Sequence, residues 1–456
     1  MDPRILFQRA QSLLAVGRAR DACESAAAAQ LRAPADPALL DAIGTLFTQA
    51  NEPRRALAAY DQAIALAPNQ PHFLFNRATA HRYLGELTEA ESDYDRVIAL
   101  KPDDYEAYKN RSELRTQSAD RNHTSALEAL LAQGAQNWTG EVELRYALAK
   151  EYEDLGQYER SFQQLESGSR LRRKYLRYDV THDLATVDWI MEAFPAPLAT
   201  PAGGRAEPGP IFIVGLPRSG STLVDRILGS HSSVYSAGEL PHFALTLVDG
   251  VRRRAGGAQL ARKELVARSA HVDFAALGRE YLQRVRASGI STPCFTDKMP
   301  LNYLYCGLIQ RALPNARIVH VTRRPMAACY AIYKTLFKDG YPFSYDFSEL
   351  AQYYAGYQRL MRHWESILPG RIHVVRYEAL VADQTEATGG LLDFCGLEWE
   401  DGCLEFHRNP APANTASAVQ IRRRIYDTSV SQWRHYEKQL EPLRASLTAL
   451  GVDCHE

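Results

Sequence analysis

The chain has 456 residues, which is enough for two or three domains of ordinary size. Hydrophobic residues make up 46% of it and charged residues 23%, a balance that excludes a wholly disordered chain. With 53 basic and 54 acidic residues the formal net charge is -1, so we expect no nucleic-acid partner, although a local anion site is compatible with this balance.

The cysteines and the hydropathy of the chain bear on metals and location. Seven cysteines are scattered and none forms a Cys-x-x-Cys pair, so we expect neither a zinc site nor disulfides, and reduced thiols fit a cytoplasm. The segment from Met1 to Gly17 lacks the apolar core of a secretory signal, and no run approaches the roughly 18 apolar residues of a membrane span. We therefore predict a cytoplasmic protein with no metal and no transmembrane segment.

A period of 34 residues runs through the N-terminal part of the chain, where Pro3, Pro37 and Pro71 hold equivalent positions. Within each unit two stripes of apolar residues at helical spacing flank a helix break, such as the one at 51–53. One helix hairpin cannot bury its own apolar face, so stacked hairpins share a core and form a curved groove. The pattern resembles the tetratricopeptide repeat and predicts a helical solenoid.

The units of this solenoid can be placed along the chain. Three repeats are clear, residues 105–140 deviate from the pattern, and a last unit reappears near 141–174. The clear repeats span 3–36, 37–70 and 71–104. We predict a solenoid over 1–174, a connecting helix and a Pro/Gly-rich linker over 175–207, and a second domain over 208–456.

The linker prediction rests on the stretch PAPLATPAGGRAEPGP at 195–210, which is nearly free of large apolar residues. Such a linker predicts few contacts between the two parts, so residues 1–190 are expected to fold independently.

After the linker, short apolar or β-branched runs alternate with long helical patterns. The predicted strands are 211–214, 293–296, 317–322 and 371–377. Continuous apolar strands that alternate with helices are typical of a parallel sheet covered on both faces. The predicted fold class is therefore a helical repeat solenoid followed by an α/β domain with a parallel sheet.

The most specific motif is the loop at 215–222, Gly-Leu-Pro-Arg-Ser-Gly-Ser-Thr, which connects the first predicted strand to a helical pattern. In such a loop the backbone N–H groups and the helix dipole attract an anion. Arg218 adds a full charge, and Ser219, Ser221 and Thr222 add hydroxyl donors. We predict a cradle for a multiply charged anionic group.

The spacing of this loop is close to that of a Walker loop, but Ser221 occupies the position of the Walker lysine. No later strand ends on an aspartate suited to magnesium. A nucleoside-triphosphate kinase is therefore disfavoured but stays open, and magnesium-dependent ATP turnover would revive it.

Three further polar residues follow predicted strands: Lys298, Arg323 and Tyr377. Ligands of parallel sheets bind beyond the carboxyl ends of the strands. We therefore expect these residues to lie at one edge of the sheet together with the loop at 215–222.

The loop, the Arg-x-Pro at 323–325 and the Tyr-Glu at 377–378 together resemble the sulfotransferases that use 3′-phosphoadenosine 5′-phosphosulfate, and in particular bacterial proteins with tetratricopeptide repeats ahead of a P-loop-like sulfotransferase domain. Tyrosylprotein sulfotransferases share several of these motifs. The resemblance covers residues 208 to about 440 and implies transfer of a sulfuryl group to a hydroxyl acceptor.

The resemblance also implies roles for single residues. Glu239 would be the catalytic base, and Lys298 with Arg218 would stabilise charge on the transferring group. Arg323 would bind the 3′-phosphate and Tyr377 would contact the nucleotide. The 5′-phosphosulfate would be held by Arg218, Ser219, Gly220, Ser221 and Thr222. The segment that folds over the nucleotide would contribute Ser417, Gln420, Arg422 and Arg423.

The chain departs from the family pattern at two positions. Ala331 stands where a serine normally follows the 3′-phosphate arginine, and Gln432 stands where a lysine or arginine precedes Trp433. These departures keep a second hypothesis open, a repeat-based interaction scaffold whose C-terminal domain binds nucleotide but is weakly active or inactive. The acceptor stays open among a peptide, a saccharide and a small molecule, and the repeat groove is expected to take a peptide or protein partner.

Overall fold

A computed structural model describes residues 1–33, 35–197, 209–290, 292, 294–413, 415 and 417–454. The linker predicted at 195–210 falls mostly outside these residues, as does position 293 of one predicted strand. The predicted domain boundaries stay predictions. None of the described helices is long and apolar enough to cross a membrane.

The first part, here called the repeat region (residues 3–174), is a series of antiparallel helices. Pro3, Pro37 and Pro71 each open a helix at its first position, where a proline costs no hydrogen bond, and Asp36 caps the second of these helices. The helices are α1 (Pro3–Ala15), α2 (Ala19–Gln30), α3 (Pro37–Gln49), α4 (Pro53–Leu66), α5 (Pro71–Leu84), α6 (Leu87–Leu100), α7 (Tyr105–Ser112), α8 (Thr124–Gln133), α9 (Trp138–Asp154) and α10 (Tyr158–Lys174). The predicted solenoid is confirmed.

Helices α1 to α6 pair as the 34-residue period predicts. Close approach within one pair depends on Gly44, since a Cβ at this position would lie 2.5 Å from the ring of Tyr60. The unit at 105–140 differs, because α7 packs mainly against α9 and not against α8. The deviating sequence of this unit therefore corresponds to an altered helix pairing.

The second part, here called the α/β region (residues 209–454), is built on a parallel sheet of order β2-β3-β1-β4-β5. Its strands are β1 (Ile211–Gly215), β2 (Tyr235–Ser236), β3 (Phe295–Asp297), β4 (Arg317–Thr322) and β5 (Ile372–Arg376). Four of these strands confirm predicted runs. The fifth, β2, was not predicted, because two residues are too short to show a period of two.

Helix α11 (Thr181–Ala193) connects the two parts. The helices of the α/β region are α12 (Ser221–Leu228), α13 (His242–Arg254), α14 (Arg262–Ser269), α15 (Phe274–Ala287), α16 (Cys306–Ala312), α17 (Pro325–Tyr333), α18 (Phe347–Ile367), α19 (Tyr377–Ala382), α20 (Gln384–Cys395), α21 (Thr428–Ser431) and α22 (Glu441–Ala449). The sheet is covered on both faces, because alternate residues of β1 belong to different cores. Ile211 and Ile213 pack into one core, and Phe212 and Val214 pack into the other.

The repeat region and the α/β region share a core, which contradicts the predicted scarcity of contacts between them. Tyr146 of α9 and Phe162 and Leu165 of α10 belong to the same buried cluster as Tyr333 and Tyr436. The reason is physical: the last helix pair of a solenoid has an uncovered apolar face, and here the α/β region covers it.

Candidate functional site

The residues predicted at one edge of the sheet do meet there. The loop at 215–222 follows β1, and Lys298 follows β3 directly. Arg323 follows β4 directly, and Tyr377 follows β5 directly. All four strands are parallel, so their carboxyl ends lie on one side.

Arg218 is the centre of this edge. Its backbone adopts φ 64, a left-handed conformation that is rare for a side chain other than glycine and that clusters at functional sites. Its guanidinium donates to Ser417 Oγ at 2.5 Å and to Gln420 Oε1 at 3.0 Å, which draws the segment at 417–424 over the loop. Arg323 donates to the carbonyl of Arg218 at 3.2 Å and so fixes the loop from the neighbouring strand.

Neither arginine has a carboxylate within ion-pair distance among the residues that the structure describes. Burial and the nearby charge of Arg323 lower the pKa of Arg218, and burial lowers the pKa of Arg323. The buried Nε atoms of both side chains, and the indole Nε1 of Trp433, have no hydrogen-bond partner in the described structure. Half-buried arginines whose Nε donors are unpaired can donate to a bound anion, so this arrangement fits a ligand with two anionic groups.

These groups face a narrow cleft of about 120 Å³. The residues predicted to bind nucleotide that line the cleft are Arg218, Gly220, Thr222, Arg323, Tyr377, Ser417, Gln420 and Arg423. The aromatic rings of Tyr377 and Tyr426 and the side chains of Ser429 and Trp433 complete the wall.

Three residues predicted for the nucleotide site lie elsewhere. Ser221 lines a second cleft instead, and Ser219 lines a separate cavity on the side of His320. Arg422 points away from the cleft, because its guanidinium donates to the backbone carbonyl groups of Tyr83 (3.1 Å), Asn409 and Ala411. Arg422 thus anchors the segment at 417–424 to helix α5. The sequence motifs had instead predicted a contact with the nucleotide.

Gly220 is a position in the loop where a side chain does not fit. Its φ is +105 and a Cβ would lie 2.5 Å from the ring of Tyr377. We expect Gly220→Ala to lower the free energy of unfolding by about 1–3 kcal/mol and to weaken ligand binding, because either the backbone or the ring must move. Urea unfolding measures the first effect.

The matched control is Gly390→Ala in α20, where the nearest neighbour of a new Cβ is His373 at 4.0 Å. For this variant we expect the free energy of unfolding to rise by about 1 kcal/mol or less. Equal losses of stability in both variants would show that the close approach of Tyr377 is not what constrains Gly220.

Glu239 and Lys298, here called the catalytic pair, are in contact in the structure, and their catalytic roles stay predictions. Lys298 Nζ donates to Glu239 Oε1, and the two side chains differ sharply in exposure, 1% for Lys298 and 42% for Glu239. The backbone amide of Lys298 donates to the carbonyl of Gly238 at 2.9 Å, so the end of β3 holds the Glu239 loop directly. A solvent-accessible carboxylate beside a buried cation is suited to accepting a proton from a bound hydroxyl group.

Asp297, directly before Lys298, is a buried contact of the Glu239 loop to which the sequence analysis assigned no role. It is fully buried and accepts hydrogen bonds from Tyr281 OH (2.9 Å) and Asn302 Nδ2 (3.3 Å). Burial raises the pKa of Asp297 to about 8, although the bonds from Tyr281 and from the backbone amide of Leu240 act in the opposite direction. Asp297 therefore braces the loop that carries Glu239. Its place directly before Lys298 was the available signal, but a buried aspartate cannot be told from an exposed one by sequence.

A second and larger cleft joins the catalytic pair to the repeat region. Glu239 and Lys298 line it at one end, and Thr45, Phe75 and Arg82 of the repeats line it at the other. Arg218 lines both clefts. The two clefts therefore adjoin at Arg218, and they also share Thr222 and Gln420.

Comparisons with known proteins agree with this division of the chain. Residues 210–401 match the model of the sulfotransferase family. Residues 42–105 and 75–141 match the tetratricopeptide repeat model, and the second match includes the whole of the deviating unit at 105–140.

Among curated relatives, an uncharacterised protein of Aquifex aeolicus (strain VF5) is 32% identical over 338 residues, which are 73% of this chain. The match covers 44% of that relative, so the chain spans less than half of its length. A "Putative protein-tyrosine sulfotransferase" of Caenorhabditis briggsae is 24% identical over 53% of this chain and 89% of its own. The solved sulfotransferase domain of the Synechococcus PCC 7002 olefin synthase is 20% identical, with a TM-score of 0.38 over 56% of this chain and 98% of its own.

Proposed function

Since residues 210–401 form a sulfotransferase-family domain that follows tetratricopeptide repeats, we propose that this protein transfers a sulfuryl group from 3′-phosphoadenosine 5′-phosphosulfate to a hydroxyl group of an acceptor. The observation that carries the proposal is the pair Arg218 and Arg323. In the described structure both guanidiniums lack a carboxylate partner, keep a buried unpaired Nε, and line the same cleft. A nucleotide with anionic groups at both its 5′ and 3′ positions matches two such cations.

The chain's own residues would bind and orient this donor. The backbone N–H groups of the loop at 215–222, together with Arg218 and Thr222, would hold its 5′ end. Arg323 would hold the 3′-phosphate, and the ring of Tyr377, which lies 5.0 Å below the Arg323 guanidinium, keeps that side chain in place. Ser417 and Gln420 would close the cleft through their bonds to Arg218. When bound, the donor supplies the activated sulfuryl group.

Glu239 and Lys298 would act on the acceptor. A Glu239 carboxylate oxygen takes the proton of the acceptor hydroxyl, which makes that oxygen a better nucleophile. The Lys298 ammonium and the Arg218 guanidinium lie where negative charge develops, and being held before the reaction they need no reorganisation. Because the pair opens into the larger cleft, the acceptor would enter from the repeat side.

The same cleft supports a role for the repeats in binding the acceptor. Helices α3, α5 and α7 contribute polar and aromatic side chains to its lining, among them Gln49, Asn76, Tyr83 and Asn110. A peptide, a saccharide or a small molecule with a hydroxyl group fits this chemistry. The absence of a metal and the cytoplasmic location stay predictions from the sequence.

The donor is tested by binding. We expect adenosine 3′,5′-bisphosphate to bind in the presence of a chelator and more tightly than ATP, because the loop has Ser221 in place of a Walker lysine. Arg218→Ala should weaken this binding by about 1.5–3 kcal/mol, the scale of a lost charge-assisted hydrogen bond. Titration calorimetry of both ligands measures this.

Arg253→Ala is the matched control, since Arg253 pairs with Glu280 at the surface and should leave binding unchanged. A preference for ATP with magnesium would overturn the proposal in favour of a kinase.

The acceptor is tested by transfer. A labelled sulfate donor offered with panels of hydroxyl-bearing peptides, saccharides and small molecules should label one class. Tight nucleotide binding without transfer to any class would favour the scaffold hypothesis instead.

A further inference from the structure

Lys334 extends from the end of α17 into the wall of the nucleotide cleft. It lines the cleft together with Arg323, Ala331 and Gln432. Its Nζ donates to Glu153 Oε1 at 2.7 Å and to Gln432 Oε1 at 3.0 Å. An ammonium has three donors, so one remains for a ligand after these two bonds.

Glu153 comes from α9 in the repeat region, so its contact with Lys334 crosses from one part of the chain to the other. The Glu153 side chain is 9% exposed and also accepts from Tyr330 OH and from Tyr436 OH at 3.1 Å. Burial alone would raise the pKa of Glu153, but Lys334 and the two hydroxyl groups hold it below its usual value. The carboxylate is therefore ionised and fixes the direction of the Lys334 side chain.

The other cations that line the cleft come from elsewhere: Arg218 from the loop at 215–222, and Arg423 and Arg424 from the segment at 417–424. Ala331 presents only a methyl group, and the amide oxygen of Gln432 is occupied by Lys334. The Tyr330 hydroxyl group donates its hydrogen bond to Glu153. Arg323 and Lys334 are thus the cations that α17 and the strand before it bring to this end.

We propose that Lys334 is a specificity residue for the 3′-phosphate of the donor and that Glu153, a positioning residue from the repeats, holds it in place. The inference rests on the proposed function and adds that the repeat region completes the nucleotide site. A short side chain at 331 and an uncharged one at 432 then leave the room that Lys334 occupies.

The test compares two ligands that differ only in the 3′-phosphate, adenosine 3′,5′-bisphosphate and adenosine 5′-monophosphate, on the full chain. We expect Lys334→Met to weaken binding of the bisphosphate about 10- to 100-fold, the scale of one charge-assisted bond, with the monophosphate changed by less than about threefold. Glu153→Gln should also reduce the preference for the bisphosphate over the monophosphate, but by a smaller factor than Lys334→Met. Lys334→Arg, which keeps the charge, should restore part of the preference.

The control is Glu159→Ala, which removes the bond of 2.7 Å that Gln439 donates to Glu159 between the same two parts of the chain but lies outside the cleft lining. It should leave the ratio of the two dissociation constants unchanged. If Glu153→Gln lowers only the unfolding temperature and not this ratio, its role is structural and the positioning claim is wrong.

Two outcomes separate this inference from the proposed function. If Arg323→Ala abolishes the preference for the bisphosphate while Lys334→Met leaves it intact, Lys334 is not part of the subsite and the proposed function stands. If the wild-type protein does not prefer the bisphosphate at all, the donor assignment itself fails.

Discussion

Replacing Glu239 by glutamine is expected to lower the rate of sulfuryl transfer by about 10²–10⁴-fold, the usual contribution of a general base. Glutamine keeps the oxygen that accepts from Lys298 Nζ, so the buried ammonium retains its partner and the loop retains its place. The amide cannot take a proton from the acceptor hydroxyl. Affinity for adenosine 3′,5′-bisphosphate should therefore stay close to that of the wild type.

Single-turnover experiments with a labelled sulfate donor measure the transfer rate. Calorimetry with the bisphosphate measures the affinity. Glu280→Gln is the control, since Glu280 is a carboxylate paired with an exposed arginine on α15 and should change neither quantity. Rates for Glu239→Gln within a few-fold of the wild type would remove Glu239 from the mechanism.

Replacing Lys298 by methionine is expected to lower the transfer rate by roughly 10²–10³-fold, the contribution of one preorganised charge to a developing anion. The fold should survive this change. Methionine fills similar space, and Glu239, at 42% exposure, stays solvated when its partner is lost. Removal of a buried cation in this situation leaves no uncompensated buried charge.

Thermal unfolding and transfer rates, measured on the same preparation, separate catalysis from stability. Lys101→Met removes an ion-paired lysine of the repeat region, 3.1 Å from Asp104, and should leave transfer unchanged. A large loss of stability with a normal residual rate per folded molecule would mean that Lys298 is structural.

Much of the fold could be predicted because its signals are local. The prolines at 3, 37 and 71 mark helix starts. Because each helix pair must bury the same kind of apolar face, the period is visible along the chain. The loop at 215–222 was predicted as an anion site because a glycine-rich turn between a strand and a helix dictates the direction of its own N–H groups. The convergence of Lys298, Arg323 and Tyr377 followed from one topological rule for parallel strands.

The contacts that complete the site were not predictable in this way. Arg422 lies within a basic run that motif matching assigns to the nucleotide, yet its guanidinium binds backbone carbonyl groups, one of them from α5. Lys334 and Glu153 are 181 residues apart in the sequence, and neither belongs to a motif. Their pairing depends on how α9 packs against α17.

By itself, then, the sequence determined the element types, the parallel sheet and the convergence of Lys298, Arg323 and Tyr377 with the loop at 215–222, because periodicity, turn chemistry and strand order depend on neighbouring residues. Tertiary structure alone decided that the repeats and the α/β region share one core, that β2 joins the sheet edge, and that Glu153 pairs with Lys334. The physical reason is that the free energy of a buried face or charge depends on what covers it. That partner can lie hundreds of residues away, where no local pattern records it.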